Sequence, residues 1–105
     1  MRRQVDGTTL RLIVTGEVDL ASRDVVADAI EQALREGPAL LFIDVGAVTF
    51  IDSTGVGVLI AGWKAAKALR VAFRVVEVRG LVARVLGVIG VLESLTGQAA
   101  GNEAG

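Results

Sequence analysis

The order of strand-like and helix-like patterns along the chain is the feature that most restricts its fold. Two strand-like segments come first, and the chain then reads helix, strand, helix, strand, helix. A strand that is followed by a helix and a further strand usually pairs in parallel through a right-handed crossover. Two such units in succession predict an α/β fold, a two-layer sandwich in which a small mixed β-sheet carries its helices mainly on one face.

The first two predicted strands form a hairpin. Residues 9–18 begin with apolar side chains at every second position, which is the pattern of a strand with one buried face. Residues 1–5 can pair with this strand across Asp6 and Gly7, which are typical residues of a tight hairpin turn. The predicted sheet therefore combines one antiparallel pair with the parallel pairs that follow.

The later elements follow from apolar periodicity and from helix-breaking residues. Gly37 and Pro38 end the first helix. The nearly continuous apolar run at residues 39–45 predicts a central strand that is buried on both faces, and residues 46–50 are predicted as a connector. The predicted helices are residues 22–36, a second that begins at Ser53 or Thr54 and ends at Leu69, and residues 81–89. The last predicted strand is residues 71–78.

Composition limits the chemistry that this chain can perform. It contains no cysteine and no histidine, which removes thiol chemistry and the commonest general base and metal ligand. The net charge of −1 and the lack of a long basic run argue against nucleic acid as a partner. The most apolar run, residues 56–63, is too short to cross a membrane. We expect a cytoplasmic domain over residues 1–95, a flexible glycine-rich tail over residues 96–105, and no cofactor.

Polar residues and glycines are concentrated where the predicted central strand meets the second long helix. The segment TFIDSTGVG, residues 49–57, has more polar chemistry than a strand-to-helix turn requires. Free backbone N–H groups and the positive end of the helix dipole lie at such a junction, which therefore accepts phosphate readily. Ser53 is a candidate for phosphorylation, and Gly55 and Gly57 would allow a partner to approach closely.

The same residues also have a purely structural interpretation. Asp52, Ser53 and Thr54 are ordinary helix-capping types, and the loop taken alone favours capping over phosphorylation. The glycines could equally serve the close packing of helix on sheet. Catalysis is a weaker hypothesis, because Ser53 has no histidine to activate it and no lysine near it in sequence. Asp44 and Asp52, without a third recognisable ligand, do not define a metal site.

The segment FIDSTGVGVL resembles the signature of the STAS domain in bacterial anti-sigma factor antagonists. Three further segments resemble that family in the same order along the chain: VTGEVDLAS, LLFIDVGAVTF and VEVRGLVARVLGVIGVLE. The joint resemblance covers about residues 8–93 and reverses the balance between capping and phosphorylation. It implies that Ser53 is phosphorylated by a cognate anti-sigma factor, a serine kinase, and dephosphorylated by a metal-dependent Ser/Thr phosphatase.

The resemblance also implies a partner-binding surface. Asp19 maps onto an acidic residue near the partner, although a turn or a helix cap is its alternative role. The implied surface consists of Asp19, Asp52, Ser53, Thr54, Gly55 and Gly57. The implied function is that of an anti-sigma factor antagonist, which is not an enzyme: unphosphorylated, it binds the kinase and so releases a sigma factor. Formation of a homodimer also stays open.

STAS-like domains also serve as accessory subunits of transporters and as scaffolds of signalling assemblies, where the serine loop need not be phosphorylated; this is the alternative function.

The chain also departs from the family pattern near its end. Residues 92–95 lead directly into the glycine-rich tail, where family members usually continue into an apolar segment and a terminal helix. This departure leaves the final packing layer open.

Overall fold

A computed structural model of the protein describes residues 1–97. Its elements are β1 (Arg2–Asp6), β2 (Thr9–Val18), α1 (Arg23–Arg35), β3 (Leu40–Ile51), α2 (Ser53–Ala68), β4 (Ala72–Val76), α3 (Gly80–Ile89) and α4 (Leu92–Thr96). The alternation of strands and helices that the sequence predicts is therefore confirmed as far as α3. No helix within the described part of the chain has the length and apolar character that a membrane crossing needs.

The four strands form one mixed sheet in the order β1-β2-β3-β4. β1 pairs antiparallel with β2, and both later pairs are parallel. Right-handed crossovers that step in the same direction each time place their helices on the same face of a sheet. The order of the strands therefore explains why α1 and α2 pack side by side on the sheet, and the predicted two-layer α/β sandwich is confirmed.

One apolar core lies between the sheet and the helices. The sheet contributes side chains such as Leu12, Leu41, Ile43 and Val75, and α3 contributes Leu86, each at most 2% exposed. Complete burial of one such side chain contributes about 1.5–3 kcal/mol to stability. Among the side chains whose burial the structure describes, no polar or charged one is fully buried in this core.

The central strand β3 is buried on one face only, which corrects the prediction from its apolar run. The side chains that face the helices are buried, whereas Leu40, Phe42 and Asp44 on the opposite face are half-buried. Long side chains of the neighbouring strand provide part of the cover, because the guanidinium of Arg11 lies 5.7 Å from the centre of the Phe42 ring. The apolar run thus reflects shielding by arginine in addition to burial under helices.

The strand β3 is also longer than predicted. Residues 46–50, predicted as a connector, continue it to Ile51, which pairs with Val18. The pairing with β2 has two register shifts, and near them the Gly46 N–H donates to Asp44 Oδ1 at 2.9 Å. This side-chain hydrogen bond satisfies a backbone group where the strand is irregular. The extension brings the chain to the point at which α2 begins.

A short fourth helix packs onto the core, whereas the sequence predicts that residues 92–95 lead directly into the tail. Leu92–Thr96 forms α4, and Leu95 is 0% exposed. The helix packs against β4 and α3. The final packing layer is therefore present, although it is only 5 residues long. Thr96 belongs to α4, and the rest of the predicted tail from residue 98 onward lies outside the described residues.

Candidate partner-binding site

The carboxyl ends of two parallel strands and the start of a long helix meet at one edge of the sheet. Val18, the last residue of β2, pairs with Ile51, the last residue of β3. The Asp52 N–H donates to the Val18 carbonyl oxygen at 3.4 Å, and α2 begins one residue later. Polar loop residues collect at this edge in open α/β sheets, which makes it the usual place for a binding site.

Asp52 is the N-cap of α2. Its backbone is extended, and its Oδ1 accepts a hydrogen bond from the Gly55 N–H at 3.0 Å. Such a cap contributes about 1 kcal/mol to helix stability, and the negative charge is favourable at the positive end of the helix dipole. The structural interpretation of Asp52 is therefore correct, and its contact with a partner stays a prediction.

Ser53 is the first residue of α2, and it is not the residue that caps the helix. Its side chain is exposed, and its hydroxyl has no hydrogen-bond partner within residues 1–97. Thr54, the next residue, is half-buried. Because Asp52 performs the capping, the Ser53 hydroxyl is available to an approaching protein.

The two glycines of the loop have different environments. Gly55 is buried, and a Cβ placed on it would lie 2.8 Å from Ile51 Cγ1 and 2.9 Å from Val18 Cγ1, closer than real Cβ atoms approach other atoms. Gly57 is exposed, and a Cβ placed there would meet nothing within 4 Å. Close packing therefore accounts for Gly55, whereas the approach of a partner stays a prediction for Gly57.

Asp19 shapes the turn between β2 and α1. Its N–H donates to Ser22 Oγ at 3.0 Å, and its Oδ1 accepts from the Ser22 N–H at 3.1 Å. The Ser22 hydroxyl also donates to the Glu17 carbonyl oxygen at 2.7 Å. These hydrogen bonds fit the turn role that the sequence left open for Asp19. Its carboxylate is half-buried at the same edge of the sheet as the Asp52 loop.

Two exposed apolar side chains at this edge were missed by the reading of the sequence. Leu20, which follows Asp19, is 65% exposed, and Phe50, which precedes Ile51, is 42% exposed. Phe50 pairs across the strands with Glu17. The signal that could reveal them is an apolar residue placed where two strands end in polar loops. The edge thus presents apolar side chains between acidic ones, which is a composition suited to protein contact.

Asp44 belongs to a separate group of charges. Arg11 donates to Asp44 Oδ2 from Nε at 3.0 Å and from Nη2 at 2.7 Å, while Glu77 lies 3.7 Å from Arg11 and pairs with Arg79 at 2.9 Å. Partial burial raises the pKa of Asp44, but the hydrogen bonds from Gly46 and Arg11 and the positive charges outweigh it, so the pKa is lowered. Within residues 1–97, no three acidic, histidine or cysteine side chains form a metal-binding group.

The fold and this edge define a small α/β domain with a serine loop at the carboxyl ends of two parallel strands. More specifically, the chain belongs to the STAS domain family, because the family described as "Mlab, STAS domain" matches residues 1–97. The resemblance found in the sequence is thereby confirmed. A comparison with curated proteins finds no match.

Solved structures with the same fold come from proteins of several kinds. An anti-sigma factor antagonist from Mycobacterium paratuberculosis is 27% identical, with a TM-score of 0.79 over 90% of this chain and 80% of that one. The phosphorylated Bacillus cell fate determinant SpoIIAA is 20% identical, with a TM-score of 0.69 over 98% and 94%. A sulfate transporter family protein from Wolinella succinogenes is 17% identical, with a TM-score of 0.76 over 90% and 77%. The chain spans only 19% of another match, Mglu.

Proposed function

We propose that this protein is an anti-sigma factor antagonist that phosphorylation of Ser53 switches off. The observation that carries the proposal is the exposed Ser53 hydroxyl, which has no partner within the described residues and stands at the start of a helix already capped by Asp52. Similarity to the mycobacterial antagonist and to the phosphorylated SpoIIAA supports it. The partner is an anti-sigma factor with serine kinase activity, and a metal-dependent Ser/Thr phosphatase reverses the modification.

Docking of the unphosphorylated form comes first in this mechanism. The kinase covers the edge formed by Asp19, Asp52, Ser53, Thr54 and Gly57, and it then no longer holds its sigma factor. Gly55 contributes indirectly, since its packing against β2 sets the position of the helix start. Because the helix start is packed closely against β2, we expect little conformational entropy to be lost on binding.

Phosphorylation then weakens the complex. The Ser53 oxygen attacks the γ-phosphorus of ATP held by the kinase, ADP leaves, and a base of the kinase takes the hydroxyl proton. The product carries an added charge of about −1.5 to −2 next to Asp52. Repulsion between these like charges increases when docking displaces the water that screens them, and together with the loss of phosphate hydration it favours separation.

The phosphorylated domain keeps its fold in this mechanism. The first helical hydrogen bond of α2 runs from the Val56 N–H to the Asp52 carbonyl oxygen at 2.9 Å, so the N–H groups of Ser53 and Thr54 precede it. Backbone donors in this position and the helix dipole stabilise a phosphate. The switch therefore acts through the surface and requires no rearrangement of the core.

The test begins with peptide mass spectrometry of the chain purified from its own host, during growth and under stress. Phosphate on Ser53 and a co-purified kinase are the expected result.

Ser53→Ala should then bind that kinase at all times, and Ser53→Asp should bind it at least about tenfold more weakly, with Ser94→Ala as the matched control. Equal binding by Ser53→Ala and Ser53→Asp would contradict the proposal.

A second candidate function is a scaffold or an accessory subunit of a transporter or signalling assembly, without a phosphorylation switch. The similarity to the sulfate transporter family protein favours it, and so do Leu20 and Phe50, which offer an apolar contact that does not depend on the serine. This function predicts an unmodified Ser53 under all conditions and co-purification with a membrane transporter. Replacement of Leu20 or Phe50 would then release the partner, while Ser53→Asp would not.

A further inference from the structure

The outer edge of β1 is an unpaired strand edge. β1 lies at the end of the sheet and pairs only with β2 in the described part of the chain, and all 5 of its residues are exposed. Such an edge is a template for pairing with another strand, and proteins commonly block it with charges. On β1 the charges have both signs, with Arg2 and Arg3 near one end and Asp6 at the other. This pattern of charges opposes some registers in which two β1 strands could pair and favours one of them.

The hairpin geometry determines which backbone groups point outward. Asp6 pairs with Thr9 across a two-residue turn, and a turn of this length closes on a hydrogen-bonded pair. Hydrogen-bonded and non-hydrogen-bonded pairs alternate along an antiparallel ladder. Arg2, Gln4 and Asp6 therefore direct their N–H and C=O groups toward β2, and Arg3 and Val5 direct theirs to the free edge.

We propose that β1 pairs antiparallel with β1 of a second copy of this chain, about a two-fold axis at Gln4, so that two sheets join into one. In this register Arg2 lies opposite Asp6 of the second copy, and the symmetry forms this pair twice. Arg3 lies opposite Val5 of the second copy, and these are the residues whose backbone groups point outward. One register thus provides both the ladder hydrogen bonds and two pairs of opposite charge.

The other registers are less favourable. Parallel pairing in register would place Arg2 against Arg2 and Asp6 against Asp6 of the second copy, and like charges directly opposite each other destabilise a sheet. An antiparallel shift of the axis to Arg3 would place that arginine against itself. A shift to Val5 would shorten the ladder and leave Arg2 without a partner. The sequence of β1 therefore favours the Gln4 register over its neighbours.

The same pairing covers an exposed apolar side chain. Val5 is 67% exposed on the helix side of the sheet. Arg3 lies on that side too, where it forms an ion pair with Glu36 of its own chain. In the proposed register the aliphatic part of Arg3 packs over Val5 of the second copy, while its guanidinium stays paired with Glu36. The centre of the contact therefore carries no unpaired charge.

Pairing at β1 leaves the sheet edge that carries Ser53 accessible. β1 pairs with residues 9–13, in the first half of β2, whereas Val18 at the far end of β2 adjoins the Asp52 loop. A strand of this length buries less surface than a permanent dimer requires, so the dimer is weak and depends on concentration. The inference is independent of the proposed function, since pairing at β1 needs neither a kinase nor Ser53.

Sedimentation equilibrium of the whole chain, at concentrations up to about 1 mM, tests the inference. The unmodified chain should show a monomer–dimer equilibrium. Arg2→Asp and Asp6→Arg should each weaken it about tenfold, because either change creates two like-charge pairs. An equimolar mixture of these two variants should form the mixed dimer at about the original strength, since both of its charge pairs are again opposite.

Two further variants separate this contact from others. Val5→Pro removes an outward N–H without touching the pairing with β2 and should also abolish the dimer. Ser53→Ala should leave it unchanged, and circular dichroism confirms that each variant folds. A monomer at every concentration would overturn the inference. So would a dimer that Arg2→Asp and Asp6→Arg leave intact, or a mixture that associates no better than either variant alone.

Discussion

The backbone carbonyl of Val18 occupies the space in which a side chain on Gly55 would begin. A Cβ at position 55 would fall far inside van der Waals contact with this carbonyl oxygen, and it would also lie 2.9 Å from Val18 Cγ1. The carbonyl oxygen already accepts the Asp52 N–H, so it cannot move away without loss of a hydrogen bond. The end of β2 and the start of α2 are therefore held against each other, and Ser53 is positioned by that contact.

Replacement of the two loop glycines should have opposite effects on stability. Gly55→Ala forces β2 and α2 apart and should lower the free energy of unfolding by about 1–3 kcal/mol. Gly57→Ala is the matched control, since its Cβ enters open space and alanine should stabilise the helix by about 0.5–1 kcal/mol. Urea denaturation of both variants measures these values. Equal effects of the two changes would contradict the close contact at Gly55.

The cap of α2 should depend on the oxygen of residue 52 rather than on its charge. Asp52→Ala removes the acceptor of the Gly55 N–H and should cost about 1 kcal/mol of unfolding free energy. Asp52→Asn retains an acceptor oxygen at the same position and should cost clearly less. Thermal and urea unfolding monitored by circular dichroism provide the comparison. If the asparagine variant were as unstable as the alanine variant, charge rather than the hydrogen bond would support the helix.

The free energy of unfolding should decrease as the pH is lowered, because Asp44 then becomes protonated. The pKa of this carboxyl is lower in the folded chain than its ordinary value of 3.8. Its contribution is therefore complete above the unfolded pKa and is lost as the pH falls through the folded pKa. Asp44→Asn should be less stable than the unmodified chain by about 1 kcal/mol at neutral pH, because it loses the ion pair with Arg11.

This difference between Asp44→Asn and the unmodified chain should shrink as the pH is lowered toward about 2, since the native carboxyl is then protonated as well. Urea denaturation at a series of pH values measures it. Asp28→Asn, which removes an exposed carboxylate on α1, controls for the change in net charge. A gap that stays constant across the series would mean that the pairing of Asp44 contributes nothing through its charge.

Glycine at position 70 should make the folded chain more stable than the native Arg70 does. It follows the last turn of α2 with a φ of 61°, while the Val71 N–H donates to the Ala66 carbonyl oxygen at 2.9 Å. A residue with a side chain is strained in this left-handed conformation by about 1 kcal/mol. Arg70→Gly should stabilise the chain by about 0.5 kcal/mol after the entropy of glycine is deducted. Arg70→Ala, which keeps the strain, should show no such gain in urea denaturation.

Apolar periodicity and helix-breaking residues were sufficient to predict an element whose sequence pattern is uninterrupted. The strand predicted at residues 9–18 is β2 with the same bounds, and Gly37 and Pro38 follow α1 as expected. The extension of β3 was missed because Gly46 resembles a turn residue, and only the pairing with β2 shows that the strand continues past it. α4 was missed because five residues are too few for a helical pattern to be recognised.

The candidate site was predictable in its location but only partly in its roles. The DSTG motif identified the helix start and Ser53, but it left open which residue caps the helix. The structure assigns the cap to Asp52, and it explains Gly55 by the proximity of Val18, a residue far away in sequence. Local patterns cannot reveal such a contact, since it arises only when β2 and α2 are brought together by the sheet.

The first turn of α2 places an exposed serine two residues before a buried glycine at which a Cβ would collide with β2. These positions will respond differently to random mutation over many generations. We expect changes at residue 55 to lower the stability of the domain, whereas changes at residue 53 leave a folded domain with a different surface group. A change in one codon can therefore produce two chains that share the same shape and differ in whether this surface carries a hydroxyl.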